Sequence, residues 1–125
     1  MFHRMDAMRS LLVSGILLLA VAALLGFVQE RYRDEPVRFA HWRVVHTGGT
    51  AGAVQLLALA AVWNALAGSG TLASVLACVL IGVSWAFFLG PLARALGWPG
   101  LARGVNLAGA VLAVPAYVAL PLLLI

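Results

Sequence analysis

One segment, residues 41–53, concentrates the side chains that could take part in chemistry. It has the sequence HWRVVHTGGTAGA. On a helix, spacings of three and four residues place Trp42, His46, Gly49, Thr50 and Ala53 on one face. That face carries an imidazole with small residues beside it, so open space is expected next to the ring. Two interpretations follow: close packing against another helix, or a flat cofactor lying on the small residues.

Each interpretation has a physical basis. Glycine and alanine at such spacing let transmembrane helices approach closely. Alternatively, His46 is the axial ligand of a haem iron, since one protein histidine commonly holds that metal. Arg43 lies one turn nearer the start of the stretch, where it would pair with a haem propionate. Arg38 and His41 are further candidates for that pairing. The residues alone favour helix packing.

Few other polar residues lie within the long apolar stretches of this chain. Gln55 must face protein or a cavity, because an unpaired amide is costly in an apolar medium. Ser84, Trp85 and Asn106 are expected mainly in packing and interhelical hydrogen bonds, and the hydroxyl of Tyr117 needs a partner. No carboxylate lies within these stretches, so an ion-coupled transporter is the least favoured function.

The composition places these residues in a membrane. Hydrophobic residues make up 64% and charged residues 10% of the 125 positions, and the mean hydropathy is +1.06; soluble domains carry about 25% charged residues. A soluble enzyme and a disordered tail are therefore excluded. The net charge is only +4, so we expect a lipid bilayer and no nucleic acid as partner. The single Cys78 excludes a disulfide framework.

Four apolar stretches are long enough to cross a bilayer, which takes roughly 20 helical residues. They cover residues 11–28, 44–66, 72–89 and 105–125. The first is longer than the apolar region of a signal peptide, so we predict a retained span. The expected fold class is all-α: a single four-span membrane domain over residues 1–125, arranged as a four-helix bundle with antiparallel, up-and-down spans.

The connections between the spans differ in kind. Residues 29–43 are expected to form a polar loop with Pro36 in its middle, residues 67–70 a tight turn, and residues 91–104 an interfacial segment anchored by Trp98. Six of the arginines lie in the first and third connections, which favours a cytoplasmic location for these loops and an outside location for both termini. Trp42 and Trp63 also fall near span ends, where tryptophan prefers the membrane interface.

The chain resembles the styrene oxide isomerases, small bacterial inner-membrane enzymes of four spans, and is more distantly similar to the hydroxylaminobenzene mutases. The resemblance covers roughly residues 39–123. It is carried by Trp42 and His46 with Thr47-Gly48 after them, which look like that family's haem-ligand segment, by Trp85 in the third span, and by Pro115-Ala116-Tyr117 in the fourth.

This resemblance implies a multi-pass protein of the bacterial inner membrane that forms homotrimers with ferric haem b near the subunit contacts. It implies that His46 binds the iron, and we assign Trp42, Arg43, His46, Gly49 and Tyr117 to cofactor binding. The implied reaction is a rearrangement of a small apolar or aromatic substrate. The iron acts as a Lewis acid on an epoxide oxygen, the ring opens, and a hydride migrates to give an aldehyde.

The chain also departs from the family. Gly52-Ala53 replaces the family's asparagine and glycine, residues 88–91 lack its tyrosine, and Val83 replaces its acid. We therefore take Thr50, Gln55, Ser84 and Asn106 as the candidate catalytic residues. Two alternatives stay open at this stage: a rearrangement of hydroxylamino-arenes, and a non-catalytic haem-binding or helper subunit of the membrane.

Overall fold

The computed structural model describes residues 2–66 and 70–122, and these residues form four helices and no strand. The helices are α1 (Phe2–Arg31), α2 (Pro36–Leu66), α3 (Thr71–Ala95) and α4 (Pro99–Leu122). Each contains a segment that is long and apolar enough to cross a membrane. The predicted all-α class with four spanning helices is confirmed.

The first connection is shorter than the sequence suggested. The predicted polar loop over residues 29–43 is wrong, because α1 continues to Arg31 and α2 already begins at Pro36. Proline suits the first position of a helix, where its missing N–H costs no hydrogen bond. The polar residues that follow it therefore form the first turns of α2, so Arg43 and His46 lie on one continuous helix.

The third connection is also shorter than predicted, because most of residues 91–104 are helical; their location at the membrane interface stays a prediction. Helix α3 runs through Pro91 to Ala95, and α4 starts at Pro99. Trp98 lies between them and is 57% exposed. The tight turn expected at residues 67–70 lies outside the described residues, apart from Gly70.

Cross-helix contacts define the arrangement. Consecutive helices run antiparallel, because a later residue of one helix meets an earlier residue of the next. The pairs are Gly15–Leu57 and Gly26–His46 for α1 and α2, Gly49–Phe88 and Gly52–Ser84 for α2 and α3, and Gly90–Asn106 and Gly109–Ala86 for α3 and α4. Helices α1, α2 and α3 all pack against one another, whereas α4 packs chiefly on α3. The site on α2 is thus supported by α1 and α3.

The core lies among the first three helices and contains the largest buried side chains, Trp63 and Phe88. Trp42 is 8% exposed and Trp63 is fully buried, so these two tryptophans pack inside the bundle and do not face the lipid. Large apolar side chains such as Phe27 and Leu24 are exposed on the outside, as expected of surfaces that face lipid.

One hydrogen bond joins the parallel helices α1 and α3. The indole Nε1 of Trp85 donates to Oγ of Ser14 at 2.7 Å. The ring also meets Phe88 edge-on, with centroids 5.8 Å apart. The indole, which the sequence assigned to packing, is therefore also tied to α1 through a polar contact.

We expect Ser14→Ala to lower the stability by about 1 kcal/mol, because the indole N–H loses its acceptor in an apolar setting. Thermal unfolding in detergent measures this loss. The double variant Ser14→Ala with Trp85→Phe lacks the donor as well, so it should lose less than the sum of the two single losses. Purely additive losses would contradict a coupled pair.

Candidate functional site

A groove runs along the outer side of α2 at the segment rich in small and polar residues; we call it the His46 groove. Its volume is about 570 Å³, and its lining comes from α2 alone: His46, Thr47, Thr50, Ala51, Val54, Gln55 and Ala58. Spacings of three and four place these residues on one stripe of the helix. Most of the side chains are short, so a flat apolar molecule can lie close to the helix.

His46 is partly buried at the edge of this groove, beside α1. Its Nδ1 lies 2.7 Å from the backbone carbonyl oxygen of Ala22. A carbonyl oxygen only accepts hydrogen bonds, so Nδ1 carries the proton and donates. In the neutral form of the ring, the lone pair then lies on Nε2. This is the arrangement typical of metal-ligating histidines, in which the second ring nitrogen donates to a backbone carbonyl or a carboxylate.

Thr50 and Gln55 follow His46 along the groove. The Thr50 Oγ1 donates to the backbone carbonyl of His46 at 2.8 Å, so its proton is engaged and its lone pairs remain to accept. The partly buried Gln55 offers both amide donors and a carbonyl acceptor. Of the four residues predicted to be catalytic, these two line the groove with His46.

A second groove adjoins the first toward the start of α2. Its volume is about 860 Å³, and it is lined by Arg33, Pro36, Phe39, Ala40, Arg43, Val44, Thr47 and Gly48. Thr47 lines both grooves. Arg43 is exposed here, which places a cationic group near the end of the His46 groove. The two grooves together therefore present an apolar surface with a cationic group near one end.

The residues predicted to share one face of α2 lie in two different places in the structure. His46 and Thr50 line the groove, whereas Gly49 is buried between helices. A Cβ at Gly49 would lie only 2.8 Å from Cβ of Ala22 and from Cδ2 of Phe88. Both interpretations of the segment therefore have a structural counterpart, since one side of α2 packs closely while the other stays open.

Three further predicted site residues lie away from the groove. Ser84 is 3% exposed and lies at the contact of α3 with α2. Asn106 lies directly against Gly90 and lines a separate cavity of about 180 Å³, together with His41, Val44, Pro91 and Arg94. Tyr117 is exposed on α4, which packs chiefly on α3. The structure brings none of the three next to His46.

Trp42 and Arg38 are engaged around the turn between α1 and α2. The Trp42 ring stacks on Tyr32 with centroids 6.3 Å apart. The guanidinium of Arg38 lies 5.4 Å from the centre of the Tyr32 ring and pairs with Glu35 at 3.3 Å. Neither residue lines the His46 groove. Trp42 instead packs against the connection between α1 and α2, one helical turn from His46.

Sequence reasoning missed the part that α1 plays. Ala22 accepts the hydrogen bond from His46, and Gly26 lies against the imidazole. A signal was present, because Gly26 interrupts a run of larger apolar residues in the first span. In a membrane helix such a glycine usually indicates helix packing, and only the structure shows that its neighbour is a histidine.

The fold and the groove define a class: a multi-pass helical membrane protein with a histidine on its second helix. Within that class, a model of the styrene oxide isomerase family matches residues 7–125. The chain therefore belongs to the styrene oxide isomerase family, which implies an isomerase-type activity and confirms the resemblance seen in the motifs. Searches of curated proteins and of solved structures found no match.

Proposed function

We propose that this protein is a membrane-embedded isomerase that depends on haem b and rearranges a small apolar or aromatic substrate, with epoxide-to-aldehyde conversion as the first choice. Membership of the family supports the reaction class. The observation that carries the proposal is the hydrogen bond from Nδ1 of His46 to Ala22, because it leaves Nε2 as the free nitrogen of a residue that lines an open groove.

The residues present fit a haem. Nε2 of His46 would hold the iron, since one protein histidine commonly binds haem iron. The side chains of Ala51 and Val54 give the groove an apolar surface. Arg43 in the adjoining groove provides a cation for a propionate.

The chain's own residues would position the substrate and keep water out. When bound, ferric haem supplies a Lewis acid for the oxygen of the substrate. The amide of Gln55 can donate to a polar group of the substrate, and the hydroxyl oxygen of Thr50 can accept from one. The surrounding alanine and valine side chains give the groove an apolar surface, and a groove closed on its outer side would exclude water, which would otherwise hydrolyse a reactive intermediate.

The homotrimer implied by the family resemblance is part of this proposal, and the groove has room for a neighbouring subunit because its lining comes from α2 alone and its outer side is open. A second copy of the chain would close this side and complete the pocket. The membrane is the bacterial inner membrane in this proposal, and substrates enter from the lipid. Rearrangement of a hydroxylamino-arene is the alternative reaction at the same groove.

A second candidate function is a non-catalytic haem-binding or helper subunit. The observation that favours it is that neither Ser84 nor Asn106 lines the His46 groove, which leaves Thr50 and Gln55 as the predicted catalytic groups there. Their assignment to catalysis stays a prediction. A haem protein that turns over neither class of substrate would support this candidate.

The proposal is tested with the full chain purified in detergent after expression with added haem. We expect a Soret band and conversion of styrene oxide to phenylacetaldehyde, measured by gas chromatography. Hydroxylaminobenzene is the parallel substrate, and its rearrangement instead would assign the reaction to the mutase type. A Soret band without turnover of either compound would leave the haem-binding subunit. Absence of a Soret band would refute haem dependence.

A further inference from the structure

The imidazole of His46 occupies a notch in α1 that exists because residue 26 has no side chain. A Cβ at Gly26 would lie 3.1 Å from both Nδ1 and Cε1 of His46, and 3.7 Å from Nε2. The two shorter distances are tighter than most real Cβ contacts, so any side chain at this position would displace the ring. His46 therefore packs directly against the backbone of α1.

The notch also gives His46 access to its acceptor. In an α-helix the carbonyl oxygen of residue 22 accepts from the N–H of residue 26. That oxygen has a second lone pair, and the Nδ1 of His46 reaches it at 2.7 Å. A side chain on residue 26 would stand beside the oxygen and obstruct this approach. The glycine and the hydrogen bond are thus physically linked.

We infer that Gly26 is a positioning residue for His46. Its bare backbone lets the carbonyl of Ala22 hold the proton on Nδ1, and this fixes the lone pair on Nε2, the nitrogen farther from α1. Gly26 touches neither substrate nor cofactor in this account. The consequence for haem binding rests on the proposed function, whereas the tautomer of the ring does not.

The chain contains a matched control on the same helix. A Cβ at Gly15 would lie 3.0 Å from Cγ and Cδ2 of Leu57, which is also a side chain of α2. It would also lie 3.3 Å from the backbone carbonyl oxygen of Ala53, so substitution of Gly15 crowds the contact of α1 with α2 at least as strongly as substitution of Gly26, without meeting an imidazole. Any general effect of loosening this helix pair appears in both sets of variants.

The first readout needs no haem. The full chain is labelled with ¹⁵N-histidine and compared with Gly26→Ala, Gly26→Val, Gly15→Ala and Gly15→Val; a His46→Ala sample identifies the His46 signals among the three histidines. We expect protonated Nδ1 and unprotonated Nε2 in the parent and in the Gly15 variants. In Gly26→Val we expect a mixture of tautomers, with a smaller change in Gly26→Ala.

The second readout is the affinity for ferric haem, titrated through the Soret band. Loss of a hydrogen bond that orients a metal ligand typically weakens metal binding by about 10–100-fold, and we expect this for Gly26→Val relative to Gly15→Val. If Gly26→Val does not fold, Gly26→Ala against Gly15→Ala supplies both comparisons. Equal tautomer and equal affinity in the two sets would overturn the inference. If the parent binds no haem, the proposed function is refuted. The comparison of His46 tautomers between the Gly26 and Gly15 variants then tests the role of Gly26 by itself.

Discussion

His46→Ala is expected to abolish the Soret band and to reduce turnover by at least about 100-fold. The variant removes the single imidazole of the groove, whose Nε2 is left free by the hydrogen bond to Ala22. A metal acting as a Lewis acid contributes several kcal/mol to the transition state, and each 1.4 kcal/mol corresponds to about a factor of ten in rate. Absorption spectra and product formation at matched protein concentration measure the two losses.

His41→Ala is the control for this prediction. His41 lies on the same helix but lines the separate cavity with Arg94 and Asn106, so its loss should leave the Soret band and the turnover near those of the parent. Retention of haem in His46→Ala together with loss in His41→Ala would move the metal site to that cavity and contradict the assignment of the groove.

Gly49→Leu is expected to destabilise the protein by about 3 kcal/mol, because overpacking of a close contact forces backbones apart. A Cβ at this position already lies 2.8 Å from Ala22 on α1 and from Phe88 on α3, so a leucine would separate three helices at once. The thermal unfolding midpoint in detergent should fall on the order of 10 °C. Haem binding should weaken as well, because Ala22 also accepts the hydrogen bond from His46.

Gly82→Leu is the matched substitution. Gly82 is exposed on α3, and a Cβ there would meet nothing within 4 Å. Its unfolding midpoint should stay close to that of the parent. An equal loss in both variants would mean that the close approach at Gly49 is not what stabilises the bundle, and that the cost comes from placing leucine in any of these helices.

The positions of the spans could be predicted because length and hydropathy are local properties of the chain. The bounds of the connections between the spans could not be predicted from the sequence. Pro36 was taken as the middle of a loop, but it begins α2, since proline is as compatible with the first turn of a helix as with a loop. Pro91 was placed in the third connection, yet α3 passes through it.

The candidate site was predictable in part. The spacing of Trp42 and His46, with small residues after them, identified the segment that lines the groove and agreed with the family found by comparison. The prediction of which residues lie beside His46 was less accurate. Gly49 was placed on the same face as His46 but is buried between helices, because residues three apart on a helix differ by about 60° in direction and can lie on either side of a boundary.

The sequence by itself predicted four apolar spans, which the structure shows as four helices long enough to cross a membrane. It also indicated the family that the family model confirms, and it predicted His46 as the candidate ligand. Only the tertiary structure decided that Nδ1 of His46 donates to Ala22, that Gly26 makes room for the ring, and that Asn106 lies elsewhere. The physical reason is that lipid is as apolar as a protein core. A helix that is apolar all round carries no pattern to tell its packed side from its open side, so helix packing alone sets which residues meet.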